Sequence, residues 1–182
     1  MTTVLLVIDA QESFRVSADD WAQTHNPQVI ERIGSLVDAA RGRDEPVIWI
    51  LHNEPGSGDE FDPDTGAVRV MSELQPAGEE PVLRKTTINA FASTDLEERL
   101  RAAGAERLVI CGIRTEQCVE TTTRAAADLG FDVAYVADAT TTSPIGDLSA
   151  ADIVERTVAV LGGREFATIV TTDDVVAGTA VH

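Results

Sequence analysis

Three reactive side chains lie at or shortly after the ends of predicted β-strands. Asp9 and Lys85 come at or just after short aliphatic runs, and Cys118 lies shortly beyond a third run. A run that is apolar at every position is typical of a strand buried on both faces of a parallel sheet. Such sheets bind ligands beyond the carboxyl ends of their strands. A carboxylate, an amine and a thiol are therefore expected to face one crevice.

Cys118 has the clearest chemistry of the three. It follows a strand and a glycine turn and falls in the first turn of a predicted helix. There the helix dipole and free amide groups lower the pKa of a thiol, and a nearby lysine lowers it further. The same amides can hold the oxyanion of acyl transfer. The alternative is a small buried residue, which is the preferred interpretation of Cys111 in its strand.

The other residue types leave alternatives open. Asp9 is also compatible with a turn cap, and Lys85 with an exposed side chain. A Cys–His dyad would require His25 or His52, since His182 is the last residue. No Gly-x-Ser-x-Gly, Gly-x-Gly-x-x-Gly or P-loop pattern occurs, so neither a serine hydrolase elbow nor a phosphate-binding loop is expected.

Strand and helix patterns alternate along the chain. Aliphatic runs predict strands over residues 4–8, 46–51, 107–111, 132–137 and 167–170, with a weaker one over 81–83. Helical periodicity predicts helices over 27–40, over 94–103 with a capping box at Thr94 and Gly104 after its end, over 116–129 closed by Gly130, and over 149–161 closed by Gly162.

This alternation predicts a doubly wound α/β domain, with a mostly parallel sheet covered on both faces and spanning residues 1–182. If the strand order is 3-2-1-4-5-6, the first and fourth strands are neighbours, and Asp9 faces Cys118. Residues 53–80 are rich in Gly, Pro, Asp and Glu, and only 67–74 suggest order. So long a loop is usually functional, and a lid or a subunit contact is plausible.

Composition excludes several classes of function. Hydrophobic residues make up 43% and charged residues 25% of 182 residues, as in soluble globular proteins. The net charge of −17 repels phosphate backbones and anionic lipid, so neither nucleic-acid nor membrane partners are expected. With two cysteines, no signal-peptide pattern and no apolar run near ~20 residues, a cytoplasmic protein with reduced thiols is expected.

Three separated motifs resemble the isochorismatase-like superfamily of cysteine hydrolases. Residues 7–14 read Val-Ile-Asp-Ala-Gln-Glu-Ser-Phe, similar to the family's Asp-x-Gln-x-x-Phe opening. Lys85 is followed by an Asn-Ala-Phe segment that ends in Phe91. Residues 111–119 read Cys-Gly-Ile-Arg-Thr-Glu-Gln-Cys-Val, which is the most specific match. The family includes nicotinamidases, N-carbamoylsarcosine amidohydrolase and ureidoacrylate hydrolases.

The resemblance implies a Rossmann-like three-layer sandwich with six strands in the order 3-2-1-4-5-6. It also implies an Asp-Lys-Cys triad of Asp9, Lys85 and Cys118, and a cis peptide between Ile113 and Arg114. The backbone N–H groups of Arg114 and Cys118 would form the oxyanion hole. Many family members have a small residue where Arg114 stands, so its guanidinium is expected at the pocket or at a subunit interface.

Further expectations concern the ligands. Nicotinamidases with a metal site carry Asp-x-His after the second strand, whereas this chain has Ile-Leu before His52, so neither metal nor cofactor is expected. Isochorismatases proper lack the cysteine, so vinyl ether cleavage is not expected. Placement makes Phe14, His52, Phe91 and Glu116 candidate substrate-binding residues. The resemblance also suggests a homodimer or homotetramer.

The sequence therefore predicts a hydrolase that cleaves a C–N bond of a small amide, ureide or carbamoyl substrate through a thioester. Two alternatives remain open. One is a small-molecule-binding or interaction module that keeps the fold without catalysis. The other is a redox protein that uses Cys118 as a peroxidatic or sensor thiol, although Cys111 is predicted to be buried. A nucleotide-binding Rossmann enzyme is disfavoured because the glycine fingerprint is missing.

Overall fold

The structure is a computed structural model, which describes residues 1–179. His182 and the last residues of the predicted domain lie outside the described residues. All described strands join one sheet, and the assignment of residues 1–182 to a single domain remains a prediction.

The sheet has six parallel strands in the described part of the chain. Their order is β3-β2-β1-β4-β5-β6, which confirms the predicted α/β class and strand order. The strands are β1 (Thr2–Ile8), β2 (Val47–His52), β3 (Val82–Lys85), β4 (Ala105–Ile113), β5 (Asp132–Thr141) and β6 (Thr168–Val170). Because β1 and β4 are neighbours at the point where the order reverses, the segments that follow them meet at one edge of the sheet.

Helices cover both faces of this sheet. They are α1 (Ala18–Ala22), α2 (Val29–Gly42), α3 (Leu96–Ala102), α4 (Glu120–Asp128), α5 (Ala150–Gly163) and α6 (Thr172–Val176). Alternate residues of β1 divide between two hydrophobic cores, with Leu5 and Val7 in the core beneath α2 and α6, and Leu6 and Ile8 in the core beneath α3, α4 and α5. This period of two produces the predicted three-layer sandwich.

Gly112 brings β1 and β4 unusually close together. Its φ angle is 131°, and a Cβ placed there would lie 1.9 Å from the carbonyl oxygen of Ile8. A side chain at this position would therefore force the two strands apart. Since Asp9 follows Ile8 directly, the glycine also fixes how near the carboxylate comes to the segment that carries Cys118.

Four predicted helix ends can be compared with the structure. The capping box at Thr94 is wrong, because its hydroxyl donates to the Ala90 carbonyl and accepts from the Leu96 amide, so α3 begins only after Asp95. Gly162 does not close α5; its Cβ would lie 3.0 Å from Ile169, so close packing on β6 explains the glycine. Gly104 and Gly130 do follow their helices with left-handed φ angles, as predicted.

The 53–80 loop is ordered by contacts with the edge of the sheet. It contains short 3-10 turns over Pro63–Thr65 and Ser72–Leu74 and pairs Val70 with Gln11. At its far end, the Glu80 carboxylate accepts hydrogen bonds from Arg41 and from the Trp49 indole. Within residues 1–179, no helix is both long and apolar enough to cross a membrane.

Candidate active site

Asp9 lies directly after β1 and is fully buried. Its backbone has a φ of 51°, a left-handed conformation that Asp tolerates better than most residues. Hydrogen bonds from the Asp9 amide to the Ile50 carbonyl (2.8 Å) and from the Gln11 amide to the Asp9 carbonyl (2.8 Å) hold this turn. The carboxylate is thereby fixed at the carboxyl edge of the sheet.

Lys85 is the only lysine in the sequence, and its side chain is completely buried. It ends β3, and β2 separates that strand from β1. A long side chain is needed to cross the intervening strand, because neighbouring strands lie about 4.8 Å apart. Its Nζ lies 2.8 Å from Asp9 Oδ2, 3.1 Å from Cys118 Sγ and 3.3 Å from His52 Nδ1.

Cys118 lies in a π-helical turn, Thr115–Val119, which precedes α4. The Arg114 carbonyl accepts hydrogen bonds from the amides of Gln117 and Val119, both at 3.2 Å, and skips the amide between them. The Cys118 amide therefore lacks the acceptor that an α-helix would give it. Before this turn the Ile113–Arg114 peptide is cis. This arrangement is compatible with the oxyanion hole predicted at Arg114 and Cys118.

The pKa of the thiol differs from the sequence expectation. Burial and the negative charge of Asp9 raise the pKa of Cys118 to about 12, although Lys85 acts in the opposite direction. The prediction of a lowered pKa was wrong because it considered the helix terminus and the lysine without the desolvation of a side chain that is only 7% exposed. Burial also raises the pKa of Asp9, against the effects of Lys85 and of the thiol.

These shifts favour proton transfer within the site over proton loss to solvent. Before the transfer the site holds an Asp9 carboxylate and a Cys118 thiol, and after it the site holds an Asp9 carboxylic acid and a Cys118 thiolate. With Lys85 charged, both states have the same net charge. Loss of the thiol proton to solvent would instead add a buried charge, which is costly. A carboxyl whose pKa is raised is a suitable acceptor for that proton.

Aromatic rings form a wall beside these groups. Phe14 and Phe61 meet edge to face with centroids 5.3 Å apart, and Phe61 meets His52 at 5.7 Å. The Arg114 guanidinium lies 5.5 Å from the centroid of Phe14. The structure thus brings two predicted substrate-binding residues, Phe14 and His52, to one wall and places the Arg114 side chain against it.

The other two candidates are placed differently. The ring of Phe91 stacks on Phe131, with centroids 6.3 Å apart. Both carboxylate oxygens of Glu116 are buried and have no hydrogen-bond partner among residues 1–179, and the Glu116 charge contributes to raising the pKa of the buried Tyr135. A substrate contact for either residue remains a prediction.

Sequence reasoning missed three residues that support the site. Gln11 is fully buried, and its side-chain amide bonds both backbone groups of His52. Glu54 and Phe61 come from the 53–80 loop and contact the His52 ring. The Gln in the opening motif was a signal for the first. For the other two the only signal was the length of the loop.

A voluminous surface recess lies elsewhere. It encloses about 610 Å³ and is lined by residues such as Phe131, Asp132 and Thr168, at the amino ends of β5 and β6. Ligands of open α/β sheets bind at the opposite edge. The buried cluster around Cys118 is therefore the better candidate site.

Comparison with known proteins identifies the family of this chain. The sequence profile of the isochorismatase domain matches residues 3–174. The isochorismatase family protein YrdC of Bacillus subtilis is 33% identical over 179 residues, covering 94% of this chain and 93% of the relative. The chain belongs to the isochorismatase family.

Two further proteins are similar to this chain in structure or in sequence. A crystal structure of a family member from Chromobacterium violaceum superposes with a TM-score of 0.88 and 31% identity, covering 97% of this chain and 92% of that one. The streptothricin hydrolase of Streptomyces noursei is 34% identical over 160 residues, which cover 88% of this chain and 56% of that enzyme. This chain is an isochorismatase-family hydrolase.

Proposed function

We propose that the protein hydrolyses a C–N bond of a small amide, ureide or carbamoyl substrate through a thioester on Cys118. The observation that carries this proposal is the buried cluster in which Lys85 Nζ lies 2.8 Å from Asp9 and 3.1 Å from Cys118. A carboxylate, an ammonium and a thiol in contact, beyond the ends of parallel strands, are the groups that nucleophilic acyl transfer requires. The name of the relative streptothricin hydrolase gives further support.

The first half of the reaction forms the thioester. Asp9 takes the proton of the Cys118 thiol, and the sulfur attacks the substrate carbonyl carbon. The amides of Arg114 and Cys118 bind the resulting oxyanion. When the C–N bond breaks, the Asp9 carboxylic acid gives its proton to the departing nitrogen, which leaves as ammonia or an amine.

The second half regenerates the thiol. Asp9, again a carboxylate, takes a proton from a water molecule as the water oxygen attacks the thioester carbon. The C–S bond then breaks, the product leaves as a carboxylic or carbamic acid, and Cys118 recovers its proton from Asp9. Lys85 stays protonated throughout, so its charge balances whichever of its two neighbours is anionic.

The alternatives are less well supported. A binding module has no need for a fully buried lysine beside a thiol. A redox protein with an internal resolving cysteine would require Cys111, but that side chain lies in the core beneath α2 and α6, whereas Cys118 lies in the core on the other face of the sheet. A homodimer or homotetramer, a cytoplasmic location, and the lack of nucleic-acid and membrane partners remain predictions.

Intact-protein mass spectrometry tests the proposal. The protein is mixed briefly with a panel of small amides and ureides, and released ammonia or amine is measured in parallel. We expect an acyl adduct confined to Cys118, and no turnover by Cys118→Ala. Turnover that survives in Cys118→Ala would refute the mechanism. Sulfenate formation at micromolar peroxide without any acyl adduct would favour the redox alternative.

A further inference from the structure

His52 supplies the third neighbour of the Lys85 ammonium. The two residues are paired in register on β2 and β3, and His52 Nδ1 lies 3.3 Å from Lys85 Nζ. The other ring nitrogen, Nε2, lies 2.9 Å from the Glu54 carboxylate. One imidazole therefore joins the buried lysine to a carboxylate at the start of the loop.

The rest of the surroundings fix the imidazole in place. The His52 amide donates to Gln11 Oε1 at 2.8 Å, and Gln11 Nε2 donates to the His52 carbonyl at 3.0 Å. On the loop side, Phe61 packs edge to face on the ring. The imidazole therefore has little freedom to rotate, because contacts fix the His52 backbone, one face of the ring and both ring nitrogens.

Hydrogen-bonding rules assign the protonation state of this ring. An ammonium group only donates, so Nδ1 must accept from Lys85 and cannot carry a proton. The single proton of a neutral imidazole then lies on Nε2, where Glu54 accepts it. Glu54 thus selects the tautomer that presents a lone pair to the lysine.

We propose that His52 is a positioning residue that acts through Lys85. As a neutral acceptor it binds one N–H of the ammonium and directs the other two toward Asp9 and Cys118. The proposal rests on the proposed function, in which that ammonium balances the shared charge of the carboxyl and the thiol. His52 was expected from sequence to bind substrate, but its two ring nitrogens are occupied by Lys85 and Glu54.

Two substitutions of His52 distinguish the role of Nδ1 from the role of Nε2. The terminal atoms of Asn stand as many bonds from Cα as Nδ1 does, so His52→Asn can keep an acceptor for Lys85. The terminal atoms of Gln match Nε2 instead, so His52→Gln keeps the contact with Glu54 and loses the acceptor. The rate at which iodoacetamide alkylates Cys118 reports on the site without any substrate. Because Lys85 is the only lysine, ¹⁵N-lysine labelling gives one side-chain Nζ signal.

At pH 8 we expect His52→Gln to slow alkylation about tenfold or more and to speed hydrogen exchange at Lys85 Nζ, because a buried donor is left unpaired. We expect His52→Asn to stay within about threefold of the natural protein. Glu54→Ala should also speed hydrogen exchange at Lys85 Nζ, because the tautomer that presents a lone pair to the lysine is no longer selected.

Equal effects of His52→Asn and His52→Gln on alkylation and on the Nζ signal would overturn the proposal. Thermal unfolding of each variant controls for misfolding. If neither His52 variant folds, Glu54→Ala, at an exposed side chain, tests the proposal, and unchanged hydrogen exchange at Lys85 Nζ would contradict it. Alkylation and the Nζ signal are independent of amide turnover. If no amide is cleaved but the His52 pattern holds, the proposed function fails and the positioning role stands.

Discussion

Replacement of Gly112 by alanine should separate the two strands that build the site. The new Cβ would lie 1.9 Å from the Ile8 carbonyl oxygen and 2.7 Å from the Ile8 carbonyl carbon, both backbone atoms that cannot rotate away. A real Cβ essentially never comes within 3.0 Å of such an atom, so β1 and β4 must part by about 1 Å or more. Asp9 moves with Ile8, away from Cys118.

Two costs add in this variant. Alanine at a φ of 131° is strained by about 1–3 kcal/mol, and forcing an extra carbon into a packed core costs about 1–3 kcal/mol more. We therefore expect a loss of ~2–6 kcal/mol in the free energy of unfolding. A displacement near 1 Å between reacting groups typically slows a reaction about 100-fold. Alkylation of Cys118 and amide turnover should fall by that order.

Urea denaturation and the rate of alkylation by iodoacetamide measure the two effects. Gly130→Ala is the matched control, because Gly130 also has a positive φ (84°) but no atom lies within 4 Å of the added Cβ. We expect it to lose only the conformational part and to keep its thiol reactivity. If Gly112→Ala lost no more stability than Gly130→Ala and alkylated normally, the close approach of β1 and β4 would not position the site.

Two further substitutions test buried charges. Lys85→Met should lower the free energy of unfolding by about 3–5 kcal/mol at pH 8, because Asp9 is left buried without a cation. The folded-state pKa of Asp9, already raised, rises further, so this loss should shrink as the pH falls and the carboxyl gains a proton. Glu80→Gln should lower the free energy of unfolding by up to about 3 kcal/mol at pH 7. Burial opposes ionisation of the Glu80 carboxyl, but hydrogen bonds from Arg41, Ala77 and Trp49 lower its pKa from the usual 4.5 to about 2. That contribution should be complete above pH 4.5 and disappear as the pH falls toward 2.

Urea denaturation over a series of pH values checks both. For Lys85→Met, the double variant with Asp9→Asn should recover part of the loss, and strict additivity of the two changes would contradict the coupling. For Glu80→Gln, the control is Glu79→Gln, which removes the same charge from an exposed neighbour. Equal effects of the Glu80 and Glu79 variants at pH 7 would show that the bonds to Arg41 and Trp49 do not stabilise the loop end.

Local patterns in the chain determined most of the fold. Aliphatic runs marked the strands because a parallel strand buries both faces, and this requirement is visible in residues 4–8 of β1 and 47–51 of β2, which are all apolar and buried. Gly104 and Gly130 marked helix ends because few other residues adopt the left-handed conformation. Two predicted helix ends were wrong because the residue makes a tertiary or neighbouring contact instead. Thr94 donates a hydrogen bond to the Ala90 carbonyl, and Gly162 leaves space for the Ile169 side chain.

The candidate triad was also accessible from sequence, because each member lies at or shortly after the carboxyl end of a strand, and parallel strands bring these ends to one edge. Its electrostatics were not. A helix terminus and a lysine both lower a thiol pKa, yet burial and the charge of Asp9 outweigh them at Cys118. Desolvation depends on everything packed around a group, so position along the chain does not specify it.

The sequence by itself determined the strands and the residue types that follow them, and its resemblance to a known family predicted which strands are neighbours at the reversal point. Only the tertiary structure decided what surrounds those residues. Lys85 reaches across β2. His52, predicted to bind substrate, contacts that lysine, and the loop brings Glu54 and Phe61 to the same ring. These contacts join residues far apart in the chain, and their geometry follows from packing, which no local pattern encodes.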